Sequence, residues 1–145
     1  MKILLFNLLP MIDAKGGAEK VFCNMANEMV ERGHEVVGVC LENKEGKLFY
    51  PLDRKVKFIN AGIAFKASLN VFEKLKTFFI IDKNKRGLYR EQIYDFKKAK
   101  RIEKIIAEEN PDVIISFNDT ATRILENNLH TRIPVITMFH NSAEL

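Results

Sequence analysis

The chain has 145 residues, of which 47% are hydrophobic and 29% charged, and its formal net charge is +4. This composition is typical of one globular domain with a hydrophobic core, and it excludes a disordered chain, a collagen-like chain and a disulfide-rich secreted scaffold. The excess of positive charge is too small to indicate nucleic-acid binding, so we expect no nucleic-acid partner.

Cysteine usage and the amino terminus indicate a cytoplasmic protein. Cys23 and Cys40 lack the spacing of a metal or redox motif, and we expect both to be buried free thiols in a reducing compartment. The apolar run at the start is interrupted by Asn7 and Pro10, so it is too short for a signal peptide. No stretch approaches the roughly 18 apolar residues of a membrane span.

The first forty residues predict a β-loop-α-β unit. Residues 2–9 and 35–41 are continuous apolar runs, which are typical of strands buried on both faces. Between them, apolar residues recur at helical spacing from Val21 to Val30, and Gly33 is expected to end the helix. We expect the two strands to be parallel, joined by a right-handed crossover.

The remaining elements continue the alternation of strand and helix. We expect a loop or edge hairpin at 42–55, strands at 56–59, 113–117 and 135–139, helices at 68–81 and from Gly87 to about Glu109, and a short helix capped by Asn118 or Asp119. The buried stripe of the long helix is expected to comprise Ile93, Phe96, Ile102, Ile105 and Ile106. This order predicts an α/β fold: a doubly wound, mostly parallel, Rossmann-like sheet with strand order 3-2-1-4-5.

In such a sheet, ligands bind beyond the carboxyl ends of the strands, near the switch point between the first and fourth. Three segments occupy that position in the sequence: the loop 8–17, residues 118–120 and residues 140–142. These segments are therefore the candidates for a binding site.

Gly16 and Gly17 stand at the start of the first helix, where unpaired N–H groups can bind a phosphate that approaches without meeting a Cβ atom. A tight turn that requires positive φ is the alternative. The spacing differs from the GxGxxG pattern of dinucleotide-binding loops. Without that pattern, we interpret Glu42, which follows the second strand, as a surface carboxylate rather than a ribose ligand.

His140 follows the last predicted strand, where an imidazole can donate a hydrogen bond to a substrate or exchange a proton with it. A solvated or packed loop histidine is the alternative. No cluster has metal-ligand spacing and no nucleophile motif such as GxSxG occurs, so we expect neither a metal site nor a serine nucleophile.

Positive charge is concentrated in residues 72–104, which contain eleven basic and five acidic residues and so carry +6. Apolar residues alternate with the basic ones there. This pattern predicts that residues 68–104 lie on an anionic membrane surface, as a peripheral contact of a cytoplasmic protein. A solvated helical face would account for the same charges.

Four segments together resemble a known family. They are MKILLFN, GGAEKVFCNMANEMVERGHEVVGVCLE, NPDVIISFN and IPVITMFHN, which follow one another in order from residue 1 to residue 141. They resemble the amino-terminal, acceptor-side domain of glycosyltransferase family 4, whose members are retaining enzymes of the GT-B fold with two Rossmann-like domains facing each other across a cleft.

The resemblance implies transfer of a sugar from a nucleotide-sugar donor to a glycan or lipid-linked acceptor, with retention of configuration and without a metal or other cofactor. Gly16 and Gly17 would lie near the donor phosphates. Asn118, Asp119 and Asn141, which follow the fourth and fifth strands at the same edge, are further candidates for binding the substrate or the donor phosphates. His140 would sit beside the transferring sugar, orienting it and stabilising developing charge.

The resemblance also bears on domain organisation. We expect residues 1–145 to form a single Rossmann-like domain of a truncated chain, which lacks the carboxy-terminal nucleotide-sugar-binding domain and is inactive alone. The alternative function is a stand-alone, flavodoxin-like binding module for a phosphate-bearing ligand such as FMN or NAD, without catalysis.

Overall fold

The computed structural model describes residues 1–42, 44–62, 69–129 and 131–138. The elements are β1 (Lys2–Asn7), α1 (Gly17–Glu31), β2 (Glu35–Cys40), β3 (Lys57–Asn60), α2 (Val71–Phe79), α3 (Lys83–Glu109), β4 (Val113–Ser116), α4 (Asp119–Asn128) and β5 (Val135–Thr137). None of the helices in these ranges is long and apolar enough to cross a membrane.

The five strands form one parallel sheet in the order β3-β2-β1-β4-β5, which confirms the predicted fold class and strand order. The central strand β1 pairs with β2 from Lys2 to Asn7 and with β4 from Ile3 to Phe6. The chain therefore reverses its direction of winding between β1 and β4, at the predicted switch point.

Side chains of β1 alternate between two apolar layers, one on each face of the sheet. Ile3 and Leu5 join a buried cluster with Phe22 of α1, whereas Leu4 and Phe6 join a second cluster. The second cluster contains buried residues of α3 and α4, namely Ala99, Ile102, Ile105, Ile106, Ala121, Ile124 and Leu125. Helices thus cover both faces, which explains why the strands are apolar throughout.

The long helix differs from its prediction at its start and in one buried position. α3 begins at Lys83, four residues before Gly87, because Asp82 caps it by accepting a hydrogen bond from the Asn84 N–H at 2.8 Å. Gly87 lies inside the helix and does not mark its boundary. Phe96 is 52% exposed, so its assignment to the buried stripe was wrong; Lys100 Nζ lies 4.8 Å from its ring centre. The predicted start of α2 at Ser68 lies outside the described residues.

Both cysteines are buried free thiols, as predicted. Cys40 ends β2, and its burial raises the pKa of the thiol to about 12. Thiolate chemistry at neutral pH is therefore suppressed at this position.

A buried carboxylate fixes α3 to the amino end of the sheet. Glu109, the last residue of α3, is 6% exposed and forms ion pairs with Lys2 of β1 and Lys57 of β3. The hydrogen bond from Lys57, together with that from Lys2, lowers the pKa of Glu109 against the opposing effect of burial. Since the carboxyl end of α3 lies at the amino end of the strands, α3 begins near their carboxyl ends.

We expect Glu109→Gln to destabilise the protein by about 1–3 kcal/mol near neutral pH, because two lysines lose an ionised partner. The folded-state pKa of Glu109 is lowered, so its stabilising contribution is present above the unfolded-state pKa and disappears as the pH falls through the folded-state pKa. Urea denaturation of wild type and variant at neutral and acidic pH measures this difference.

The matched control is Glu108→Gln, which removes an exposed carboxylate 3.7 Å from Lys104 and should change stability little. Equal free energies of unfolding for the two variants would contradict the role assigned to Glu109. So would a difference between wild type and Glu109→Gln that does not shrink on acidification.

Candidate functional site

The candidate site lies at the carboxyl ends of β1 and β4, where the loop 8–16 and the start of α4 leave the sheet. Two of the three predicted segments are found there. The third, residues 140–142, lies outside the described residues, so the roles predicted for His140 and Asn141 stay predictions.

An amide pair joins the two strands at the switch point. Asn7, the last residue of β1, is fully buried, and its Oδ1 accepts hydrogen bonds from Asn118 Nδ2 at 2.9 Å and from the Leu9 N–H at 3.0 Å. Asn118 Oδ1 in turn accepts from the Ala121 N–H at 2.8 Å and caps α4. The predicted cap is therefore confirmed, and both polar atoms of the Asn118 side chain are engaged within the protein.

Asp119 occupies the first turn of α4 and is exposed. It stands directly after the cap, at the same edge of the sheet as the first turn of α1. Asp119 is thus available to a polar ligand at this edge, whereas Asn118 acts by positioning α4.

Gly16 and Gly17 form the exposed amino terminus of α1: Gly16 is the cap residue, with φ −77° and ψ 170°, and Gly17 is the first helical residue. Neither has a positive φ, so the tight-turn alternative was wrong. A Cβ on Gly16 would overlap the end of the Glu19 side chain, whereas a Cβ on Gly17 would meet no described atom within 4 Å. A larger residue at position 16 would therefore require the Glu19 carboxylate to shift, and there is open space above position 17.

Glu19 is a buried carboxylate in the first turn of α1, 8% exposed. Its Oε2 has no hydrogen-bond partner among the described residues. A buried acceptor of this kind stabilises a donor brought to it, such as a hydroxyl group or a water molecule.

Glu42 fixes the loop between β1 and α1. Its Oε1 accepts a hydrogen bond from the Met11 N–H at 2.6 Å, and its Oε2 accepts one from the Ile12 N–H at 2.9 Å. The prediction of a surface carboxylate was therefore wrong: Glu42 is half-buried, and both of its oxygens bind backbone of the candidate site.

Asn60 at the end of β3 holds Glu42 in place. Its Oδ1 accepts from the backbone N–H of Glu42 at 2.9 Å, and its Nδ2 donates to the carbonyl of Lys44 at 3.0 Å. An open cavity of about 700 Å³ lies beside these residues, and Lys44, Glu45 and Phe58 are also among those that line it. The carboxyl ends of β2 and β3 thus provide a polar recess next to the loop.

Sequence reasoning missed the roles of Asn7, Glu42 and Asn60. These three side chains do not bind a ligand in our prediction, but they hold the carboxyl edge of the sheet together. A common signal was present: each is a polar residue at the end of a strand or directly after it. A buried amide at such a position must find hydrogen-bond partners, which indicates a structural contact.

A family model described as Glycosyltransferase Family 4 matches residues 15–144, which is most of the chain and begins just before Gly16. No curated protein matches the sequence closely enough to be counted as a relative.

We expect Glu42→Gln to destabilise the protein by about 1–3 kcal/mol, because an amide offers only one acceptor to two backbone N–H groups and leaves one of them without a partner. Glu45→Gln, at an exposed position lining the same recess, is the control and should be near neutral. Urea denaturation monitored by circular dichroism measures both. Identical unfolding curves for the two variants would refute the anchoring role of Glu42.

Proposed function

The chain belongs to Glycosyltransferase Family 4, and on that premise we propose that it is the acceptor-side domain of a retaining glycosyltransferase. The donor is a nucleotide sugar, and the acceptor is a glycan or a lipid-linked glycan. A second, carboxy-terminal domain supplies most contacts to the nucleotide, and the domain of residues 1–145 is inactive without it.

The open space above Gly17 is the observation that carries this proposal. Gly17 is the first residue of α1, and neither its backbone conformation nor a described neighbour requires glycine there. A ligand that approaches the helix terminus closely explains the residue, because the N–H groups and the helix dipole favour an anion there. The donor diphosphate is the anion that this chemistry supplies.

The recess beside Glu42 and Asn60 supports the acceptor side of the proposal. Lys44 and Glu45 give its rim a donor and an acceptor, which suits the hydroxyl groups of a sugar. In this arrangement the acceptor approaches from the β2–β3 side, and the donor lies over the switch point between β1 and β4.

His140 is proposed to orient the transferring sugar and stabilise charge that develops on it, without forming a covalent intermediate. No metal takes part, because backbone amides and basic side chains stabilise the leaving diphosphate. His140→Ala in the full-length enzyme should lower turnover by about 10²-fold or more while leaving the melting temperature unchanged. Unchanged turnover would remove His140 from the site.

Gly17→Ala tests the proposed phosphate site. The new methyl group meets no described protein atom, so stability should be unchanged or slightly higher, whereas affinity for inorganic pyrophosphate should fall by about tenfold or more, about 1.4 kcal/mol. Titration of the 145-residue chain followed by NMR measures the affinity.

Gly87→Ala is a matched control, since Gly87 is also an exposed helical glycine, and a methyl group added there would meet no described atom within 4 Å. It should leave pyrophosphate binding unchanged. Equal affinity of wild type and Gly17→Ala would refute the site. Tight binding of FMN or NAD by the wild-type chain would instead support the stand-alone binding module.

A further inference from the structure

Helix α2 directs its apolar side chains toward solvent. Val71, Phe72, Leu75, Phe78 and Phe79 are between 54% and 78% exposed, and Ile81 directly after the helix is 92% exposed. These six residues are called the α2 patch below. Thr77 is the one buried residue of the helix. Exposure of so many large apolar side chains on one short helix indicates an interaction surface.

An ordinary surface helix buries its apolar face, whereas α2 exposes its apolar face and turns its polar face inward. Successive helical residues are rotated by about 100°, which places the five apolar residues of α2 within an arc of about 120°. The opposite, inward arc carries Glu73 and Thr77. The helix therefore packs through polar residues and presents its apolar arc outward.

Polar contacts hold α2 in this orientation. Asn70 and Glu73 form a capping box with hydrogen bonds of 2.7 and 2.8 Å, and Lys97 of α3 binds the same Glu73 carboxylate at 2.7 Å. The hydrogen bond from Lys97 has the largest effect on the pKa of Glu73 and lowers it, and the bond from the Asn70 N–H lowers it further. The carboxylate therefore stays ionised at neutral pH. The reversed orientation is thus specified by defined contacts.

Positive charge flanks the α2 patch. Lys74 and Lys76 are exposed on either side of the apolar arc, and Lys83 and Lys85 follow at the start of α3. Residues 71–90 contain six basic and two acidic residues, which leaves a net charge of +4. Both acidic residues take part in helix capping: Glu73 completes the capping box of α2 with Asn70, and Asp82 is the N-cap of α3.

The turn between α2 and α3 lies at the same end of the sheet as the candidate site. α3 ends beside Lys2 at the amino end of β1, and its 27 residues extend about 40 Å in the opposite direction. Gly87 and Arg90 near its start line a cavity together with Thr120 in the first turn of α4. The carboxyl-terminal end of the α2 patch, next to this turn, is therefore close to the carboxyl edge of the sheet.

We propose that the α2 patch docks on an anionic lipid bilayer. An outward apolar arc bordered by lysines is the pattern of a helix that lies in the membrane interface, where aromatic side chains enter the acyl boundary and lysines contact anionic headgroups. The sequence predicts a membrane contact over residues 68–104. In the structure the later residues of α3 pack on the sheet, so the proposed contact is limited to α2 and the turn after it. If the proposed transferase function also holds, this placement favours a lipid-linked acceptor.

Flotation of the wild-type chain with vesicles tests this proposal without any sugar nucleotide, so its outcome is independent of the transferase assignment. We expect strong binding to vesicles that contain phosphatidylglycerol, weak binding to pure phosphatidylcholine, and loss of binding at high salt. Phe78→Ser/Phe79→Ser should lower the partition coefficient by about tenfold or more. Lys74→Gln/Lys76→Gln should lower it by about 30-fold, and on anionic vesicles alone.

Matched controls are Phe49→Ser, which removes an exposed aromatic ring on the β2–β3 connection, and Lys104→Gln on α3. Both should bind like wild type. Because the substituted α2 residues are exposed, circular dichroism should show unchanged folding. Failure of the wild type to float, or equal binding by all variants, would overturn the proposal. Concentration-dependent dimerisation that Phe78→Ser/Phe79→Ser abolishes would also overturn it, by assigning the patch to a second copy of the chain.

Discussion

The hydrogen bond between Asn7 and Asn118 is the contact on which the candidate site depends. It joins the carboxyl ends of β1 and β4 at the point where the sheet reverses its winding, at 2.9 Å and with Asn7 fully buried. The same two side chains start the loop after β1 and cap α4. This pair of amides thus fixes the loop after β1 and the start of α4 relative to each other. A binding site requires this kind of preorganisation.

Glu42 extends this organisation to the other side of β1. Its carboxylate takes two N–H groups of the loop, and Asn60 fixes its backbone in turn, so β1, β2 and β3 all contribute to one edge. At Gly16, the Glu19 carboxylate lies where a Cβ atom would be placed. Gly17 remains open, and this combination of a constrained loop and an accessible helix terminus supports a site for a phosphate-bearing ligand.

Sequence periodicity predicted most of the fold because the elements that pack on the sheet are strongly apolar. The strand order and the cap at Asn118 are confirmed, since buried parallel strands leave a continuous apolar pattern. The predictions failed where polar contacts override the pattern. Asp82 starts α3 before Gly87, and Glu42 turns inward because unpaired loop amides require an acceptor. The place of Glu42 after a strand could indicate a structural contact, but only the tertiary structure identifies residues 11 and 12 as its partners.

We propose that the carboxyl edge around Gly17 binds the phosphates of the donor. Mapping of amide chemical-shift changes in the isotope-labelled chain on addition of pyrophosphate tests this binding at the level of single residues. We predict that the largest changes fall on the amides of residues 16–20, with smaller ones at residues 118–120. Changes centred on the basic residues of α2 and α3, with none in the first turn of α1, would contradict it.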